Sequence, residues 1–392
     1  TFTNYGNYSW TANGTESVFI WGEQASNSAS VDPYVYNPQA APTSTAYYGP
    51  RFDYNPVTLA ANGLLIEEQR TNLFLNSDFN TGGAGTGLVT SSTMTGPTGA
   101  TITAAAFGHD GTTTSFLYKG TVAATTQYAI SVFVRMDDGN APVFGSATSD
   151  SPLNDFALVV SGATFSPLTF TIQNFGGGLY RVAGVVTSQA TNLGNNGVVK
   201  YNTNSNRTFK TSAWQIEAGS FATSYIPTVA SQVTRAADNA SMLGDNFATW
   251  YNQTEGTLAA EAQFIGIAPY STFIADATDA STNNFVVIGH GGSGSAPYFR
   301  VTVSNVDQAV ITVAPAIGAT LNKYAGAYKA NDFSFARNGS LGTPDTSGSV
   351  PTVTQLIFAN RFGNDRPASL LLRKFSYYPT RLADATLQSI TA

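Results

Sequence analysis

The chain has no cysteine, and only 11% of its 392 residues are charged, against about 25% in an ordinary soluble domain. The first absence excludes disulfides and thiolate metal sites, so stability has to come from packed cores or from association. Basic residues are also scarce: 18 Lys and Arg stand against 24 Asp and Glu, without a cluster, and the net charge is −6. A nucleic-acid binder needs a basic stripe to displace counterions from phosphates, and none is present. No long apolar run occurs. Segments such as 156–160 and 370–372 fall far short of the ~20 residues of a membrane-spanning helix, and no stretch has the pattern of a secretory signal peptide. Histidine occurs only as His109 and His290, each among Gly and small polar residues.

What is abundant is Gly (37), Phe (25) and Tyr (19), with Ser, Thr and Asn left to cover the surface. That composition favours short strands and turns over helices. The expected fold is all-β, with two antiparallel β-sandwich (jelly-roll) domains in tandem behind an extended N-terminal segment. Residues 1–50 contain no Lys or Arg and are rich in Tyr. They are expected to be an extended anchor with one strand at 17–21, ordered on a partner because aromatic side chains give contact area at low entropic cost. The alternative is a leader packed on its own chain.

Residues 51–70 are expected to be connecting strands and a charged joint. Asn55-Pro56 and Asn62-Gly63 are turn chemistry, each followed by a short apolar segment, 57–59 and 64–66, that reads as a strand. Glu67, Glu68, Gln69 and Arg70 then stand between the apolar runs 64–66 and 73–75. Charges so placed are expected to cross a boundary between packed units, with Arg70 held by Glu67 or Glu68. Arg235 and Asp238, at the far end of the first domain, are expected to meet them.

The first domain is expected over 71–228, with strands at 127–135, 156–160, 169–173, 179–187 and 212–217 separated by Gly- and Asn-rich turns. Alternation is clear in the first: Tyr128, Ile130, Val132 and Val134 against Ala129, Ser131, Phe133 and Arg135. A linker follows over 229–245. The second domain, 246–392, has strands expected at 257–264, 284–288, 298–304, 309–313, 322–328, 332–337, 354–359 and 369–378, and a helix at 381–390.

Three stretches carry a resemblance: RFDYNPVTLAANGLLIEEQRTNLFL from residue 51, WQIEAGSFATSYIPTVASQVTRAAD from 214 and FSYYPTRLADATLQSI from 375. In this order they resemble virion proteins of bacteriophages, of the head-spike, head-fibre or tail-fibre type. The stretch from Thr71, TNLFLNSDF, is similar to the opening strand of jelly-roll carbohydrate-binding modules. The C-terminal pattern resembles laminin-G and concanavalin-like sandwiches. The resemblance implies location on the phage particle, other virion proteins as partners, host-surface polysaccharide as ligand and a homo-oligomer, commonly a trimer.

Catalytic constellations are sparse. His109 beside Asp110 is a poor oriented base, since adjacent loop residues rarely have triad geometry, and the Gly-rich loop at His290 lacks the Lys of a phosphate cradle. Paired glycosidase carboxylates lie ~5 to 9.5 Å apart; Glu255 and Glu261 lack the spacing, Glu67 and Glu68 are adjacent, and Asp137 and Asp138 read as a turn. Asp276 and Asp279 could offer oxygens to a structural Ca²⁺ but lack the spacing of a dedicated loop, so no cofactor is expected. Sugar binding is easier to place, because pyranose faces stack on rings and hydroxyls bond to amides and guanidiniums. Asn360, Arg361, Asn364 and Arg366, around Phe362, concentrate such groups in one loop; a solvated turn is the competing reading. The expected function is a non-enzymatic virion spike or fibre recognising host-surface glycan. Its rivals are a capsid decoration protein and a polysaccharide-degrading spike.

Overall fold

The computed structural model describes residues 50–78, 84–266, 270–292, 295–315, 320–363 and 366–392. The expected strand at 17–21 and nearly all of the anchor segment lie outside them, as does Asn364. The protein is all-β, and among the described residues its strands pair antiparallel.

Two pairs of sheets carry the architecture. In the N-terminal pair, a six-stranded sheet runs in the order Thr171–Asn174, Tyr180–Thr187, Gln127–Met136, Phe209–Ala218, Thr101–Phe107, Val89–Thr95, and faces a five-stranded sheet centred on Gly197–Lys200. Between them Tyr128, Ile130, Val132 and Val134 of the alternating strand pack with Phe74, Phe156, Phe209 and Trp214. A bulge between Ser212 and Gln215, with Ala213 at φ +50°, brings Trp214 into this core and keeps Gln215 and Glu217 beside Ser131 and Ala129 on the outer face.

The C-terminal pair consists of a seven-stranded sheet, Arg51–Tyr54, Ala61–Ile66, Leu370–Tyr378, Glu255–Phe264, Leu321–Lys329, Ser334–Arg337, Ser340–Leu341, and a six-stranded sheet from Ala240–Leu243 to Val306–Thr312. Ile66 belongs to this core, together with Phe264, Phe299, Phe335 and Leu370. The chain therefore lays two strands on the C-terminal sheet, builds the N-terminal sandwich, and then returns. Residues 52–392 accordingly form one compact unit.

Several local expectations are corrected. Residues 57–59 are a turn and not a strand: Asn55 Oδ1 accepts the backbone N–H groups of Val57 and Thr58 at 2.9 Å each, an Asx turn that competes with strand pairing. Asn62-Gly63 lies inside the Ala61–Ile66 strand. Gly63 has φ +122°, and a Cβ there would fall 2.6 Å from the Leu372 carbonyl oxygen, so glycine serves close strand approach. Pro167–Thr169 is a 3₁₀ turn ahead of the Thr171–Asn174 strand. The C-terminal helix is Asp384–Thr391, and a short second helix occupies Asp245–Ala248. Within 229–245, Val233–Arg235 pairs with Arg70–Asn72, and Ala240–Leu243 edges the six-stranded C-terminal sheet.

Candidate functional site

The outer face of the six-stranded N-terminal sheet is where the two sandwiches meet. Ser131, Ser212, Gln215 and Glu217 face outward yet are at most 1% exposed, because residues 219–226 fold over them. Such burial requires that every polar group find a partner. Glu217 Oε1 accepts from Gln215 Nε2 and from Thr223 N, and its Oε2 from Thr223 Oγ1, each at 2.7 Å.

The structure brings Glu67, Glu68, Arg70, Arg235 and Asp238 together here. Glu67, 1% exposed, accepts from Ser224 N at 2.7 Å and Ser224 Oγ at 2.6 Å, and pairs with Arg235 at 3.1 Å. Its own N–H donates to Asp238 Oδ2 at 2.7 Å. Glu68 pairs with Arg70 at 2.5 Å and accepts from the Tyr270 hydroxyl at 3.0 Å. Burial, then the Glu68 charge, push that phenol up to about 12. Arg70 also donates to the Ala218 carbonyl and lies over the Phe221 ring.

Asn72 was not singled out from the sequence, yet it completes the joint. Its Nδ2 donates to the carbonyls of Trp214 (3.0 Å) and Ile226 (2.8 Å), and its Oδ1 accepts from Phe74 N (3.1 Å) and Ile216 N (3.2 Å). Of these four groups, the Trp214 carbonyl lies within the bulge. An Asn at the end of a short strand gives no hint of this role in sequence.

A cavity of about 410 Å³ opens beside the joint, within the ~300 to 1,000 Å³ of small-molecule sites. Thr169, Thr171, Gln173 and Arg181 line it from the sheet edge, Ser220 and Phe221 from the covering segment, and Ile265 from the C-terminal sandwich. Arg181 Nη2 donates to Ser131 Oγ at 2.8 Å and to the Thr223 carbonyl at 2.6 Å. Burial lowers its pKa, opposed by the charges of Glu217 and Glu67. Sequence reading missed this site because its walls come from separated segments.

The 360–366 loop has a different character. Asn360 is 4% exposed, and its Oδ1 accepts from Arg361 N at 2.9 Å and Arg366 N at 3.3 Å, so it shapes the loop's own backbone. The Arg361 guanidinium lies 6.0 Å from the centre of the buried Phe273 ring; Phe362 is exposed and Arg366 half-buried.

The acidic and imidazole groups weighed for catalysis are dispersed. Asp138 and Asp155 share Arg207, at 2.8 and 2.6 Å. His290 is buried, accepts from Gly292 N at 3.2 Å, and burial lowers its pKa. Among the described residues no group of three or more His, Asp or Glu could hold a metal ion.

No family model and no curated protein matches the chain. Solved structures similar to it include the CBM40 of a Ruminococcus gnavus IT-sialidase, 12% identical over 39% of this chain and 93% of that one, with a TM-score of 0.34. A Streptococcus pneumoniae sialidase is 11% identical over 38% of this chain and 26% of its own, at 0.34. A Limulus polyphemus pentraxin is 9% identical over 36% and 73%, at 0.30.

Proposed function

We propose that this protein is a non-enzymatic glycan-binding protein of a bacteriophage virion, of the spike or fibre type, with the junction cavity as its sugar site. The observation that carries the reading is the cavity itself: a concave site with hydroxyl, amide and guanidinium groups of Thr169, Thr171, Ser220, Gln173 and Arg181 beside the apolar Phe221 and Ile265. Sugars need that combination, because their hydroxyls exchange water for directed hydrogen bonds while their C–H faces take apolar contact. A non-catalytic role is supported by Glu67 and Glu217, the carboxylates whose charges act on the cavity's Arg181, which are bound to buried donors of the joint. Placement on a virion is supported by the three sequence segments described above.

The test is retention of labelled protein on host cells and on the same cells stripped of surface polysaccharide. Retention that vanishes with the polysaccharide, and that Thr171→Trp reduces by plugging the cavity rim, is the expected result. Absence of retention on either would turn the reading toward a decoration protein bound only to other virion components. Release of reducing ends from the polysaccharide would overturn the non-enzymatic assignment.

A further inference from the structure

We infer that the junction cavity takes the carboxylate of an acidic sugar, and that Arg181 binds it; the inference rests on the cavity being the glycan site. Arg70 and Arg235 beside it are each within ion-pair distance of a glutamate. Arg181 has no such pair among the described residues. Its Nη2 is bound to two neutral oxygens, Ser131 Oγ and the Thr223 carbonyl. Its Nη1 makes no hydrogen bond among the described residues and is not among the buried atoms. The two acids whose charges reach it, Glu67 and Glu217, accept from Ser224, Arg235, Thr223 and Gln215 instead.

A guanidinium on a cavity wall with a donor unused is a cation whose hydration has been partly removed and not replaced. An incoming carboxylate would replace it with a charge-assisted bond, stronger in this shielded site than in water. A neutral sugar offers only hydroxyl oxygens there. The neutral rim of Thr169, Thr171, Gln173 and Ser220 suits the rest of a pyranose ring and adds no competing charge.

The experiment is titration of the full-length chain with glucuronate, galacturonate and N-acetylneuraminate, with the methyl esters of the three, and with glucose, galactose and N-acetylglucosamine, read by ligand-observed NMR. At least one free acid should bind, its ester about tenfold or more weakly, and Thr171→Trp should abolish that binding without changing the melting temperature. The ester comparison uses unaltered protein, so it stands even if the variant folds poorly. Neutral sugars or esters binding as tightly as the acids would overturn the Arg181 assignment and leave the glycan reading standing. Acid binding that survives in folded Thr171→Trp would also overturn the assignment, by placing the anion elsewhere. Binding of none of the nine would overturn both.

Discussion

The Arg70 guanidinium lies 4.9 Å from the centre of the Phe221 ring. The same ring packs on Gly266 of the C-terminal sandwich, so closely that an added Cβ would overlap it. One aromatic side chain thus joins the charged joint, the covering segment and the second sandwich. Phe221→Ala should cost about 3 kcal/mol or more through the lost packing and the cation–π contact. Gly266→Ala should cost about 1 to 3 kcal/mol by forcing that ring aside. Urea denaturation measures both, and values near zero would show that the sandwiches do not depend on this contact.

Asn72→Ala removes four buried hydrogen bonds and leaves the Trp214 and Ile226 carbonyls and the Phe74 and Ile216 amides without that partner. At about 1 kcal/mol per bond, plus the desolvation of groups left unmet, the loss should be about 4 kcal/mol or more. Asn72→Asp keeps the shape but replaces two donors with acceptors, and should not rescue stability. A melting temperature in Asn72→Asp equal to that of the unaltered protein would reject the role of the Nδ2 donors.

Glu67→Gln keeps the volume of the side chain but removes the charge facing Arg235 and places a donor near Ser224. Breaking one partner of a buried pair costs about 3 to 5 kcal/mol, and most of that should appear here. Arg70→Ala should be milder, since Glu68 retains the Tyr270 hydroxyl. Equal melting temperatures for both variants and the parent would show the joint to be dispensable.

Lys200 is 1% exposed and donates to the Asp155 and Ser205 carbonyls. Burial lowers its pKa from 10.5 to about 8 in the folded chain. The unfolded chain therefore holds more protons between pH 8 and 10.5, and stability should rise with pH across that window, by up to about 1.4 kcal/mol per pH unit for one such group. Lys119, lowered to about 8 by burial, acts in the same direction. Tyr225 and Tyr298, raised to about 12 by burial, reverse the trend above pH 10. Thermal melts from pH 7 to 11 should peak near pH 10, and Lys200→Met should flatten the rise. A continuous fall from pH 8 would show that Lys200 titrates normally.

Arg361→Ala separates the two candidate sugar surfaces. If the junction cavity binds glycan, this variant should retain the parent's affinity within about twofold while Thr171→Trp loses at least tenfold, a difference of about 1.4 kcal/mol. The reverse pattern, in retention on polysaccharide-bearing cells, would transfer the site to the 360–366 loop.

Much of the strand pattern was legible because it is local. Residues 127–135 announce a strand by alternation, and Gln127–Met136 is one. The Asn-Gly at 62–63 misled because that dipeptide also serves where strands approach closely, and only the Leu372 backbone across the sheet distinguishes the two uses. Arg181 gave no signal, since a cation on a strand's outer face normally points to water.

That this chain is a cysteine-free β-protein with aromatic cores follows from its residues alone, since composition and side-chain period depend only on near neighbours along the chain. Glu67, Glu68 and Arg70 between two apolar runs mark a boundary in the sequence itself, and the structure sets Arg235 and Asp238 beside them. Three features came only with folding: the outer face at Ser131, Gln215 and Glu217 is buried, Asn72 closes the bulge, and Arg181 opens on a cavity. Each depends on segments distant in sequence meeting, and the burial that gives polar groups their roles exists only after they meet.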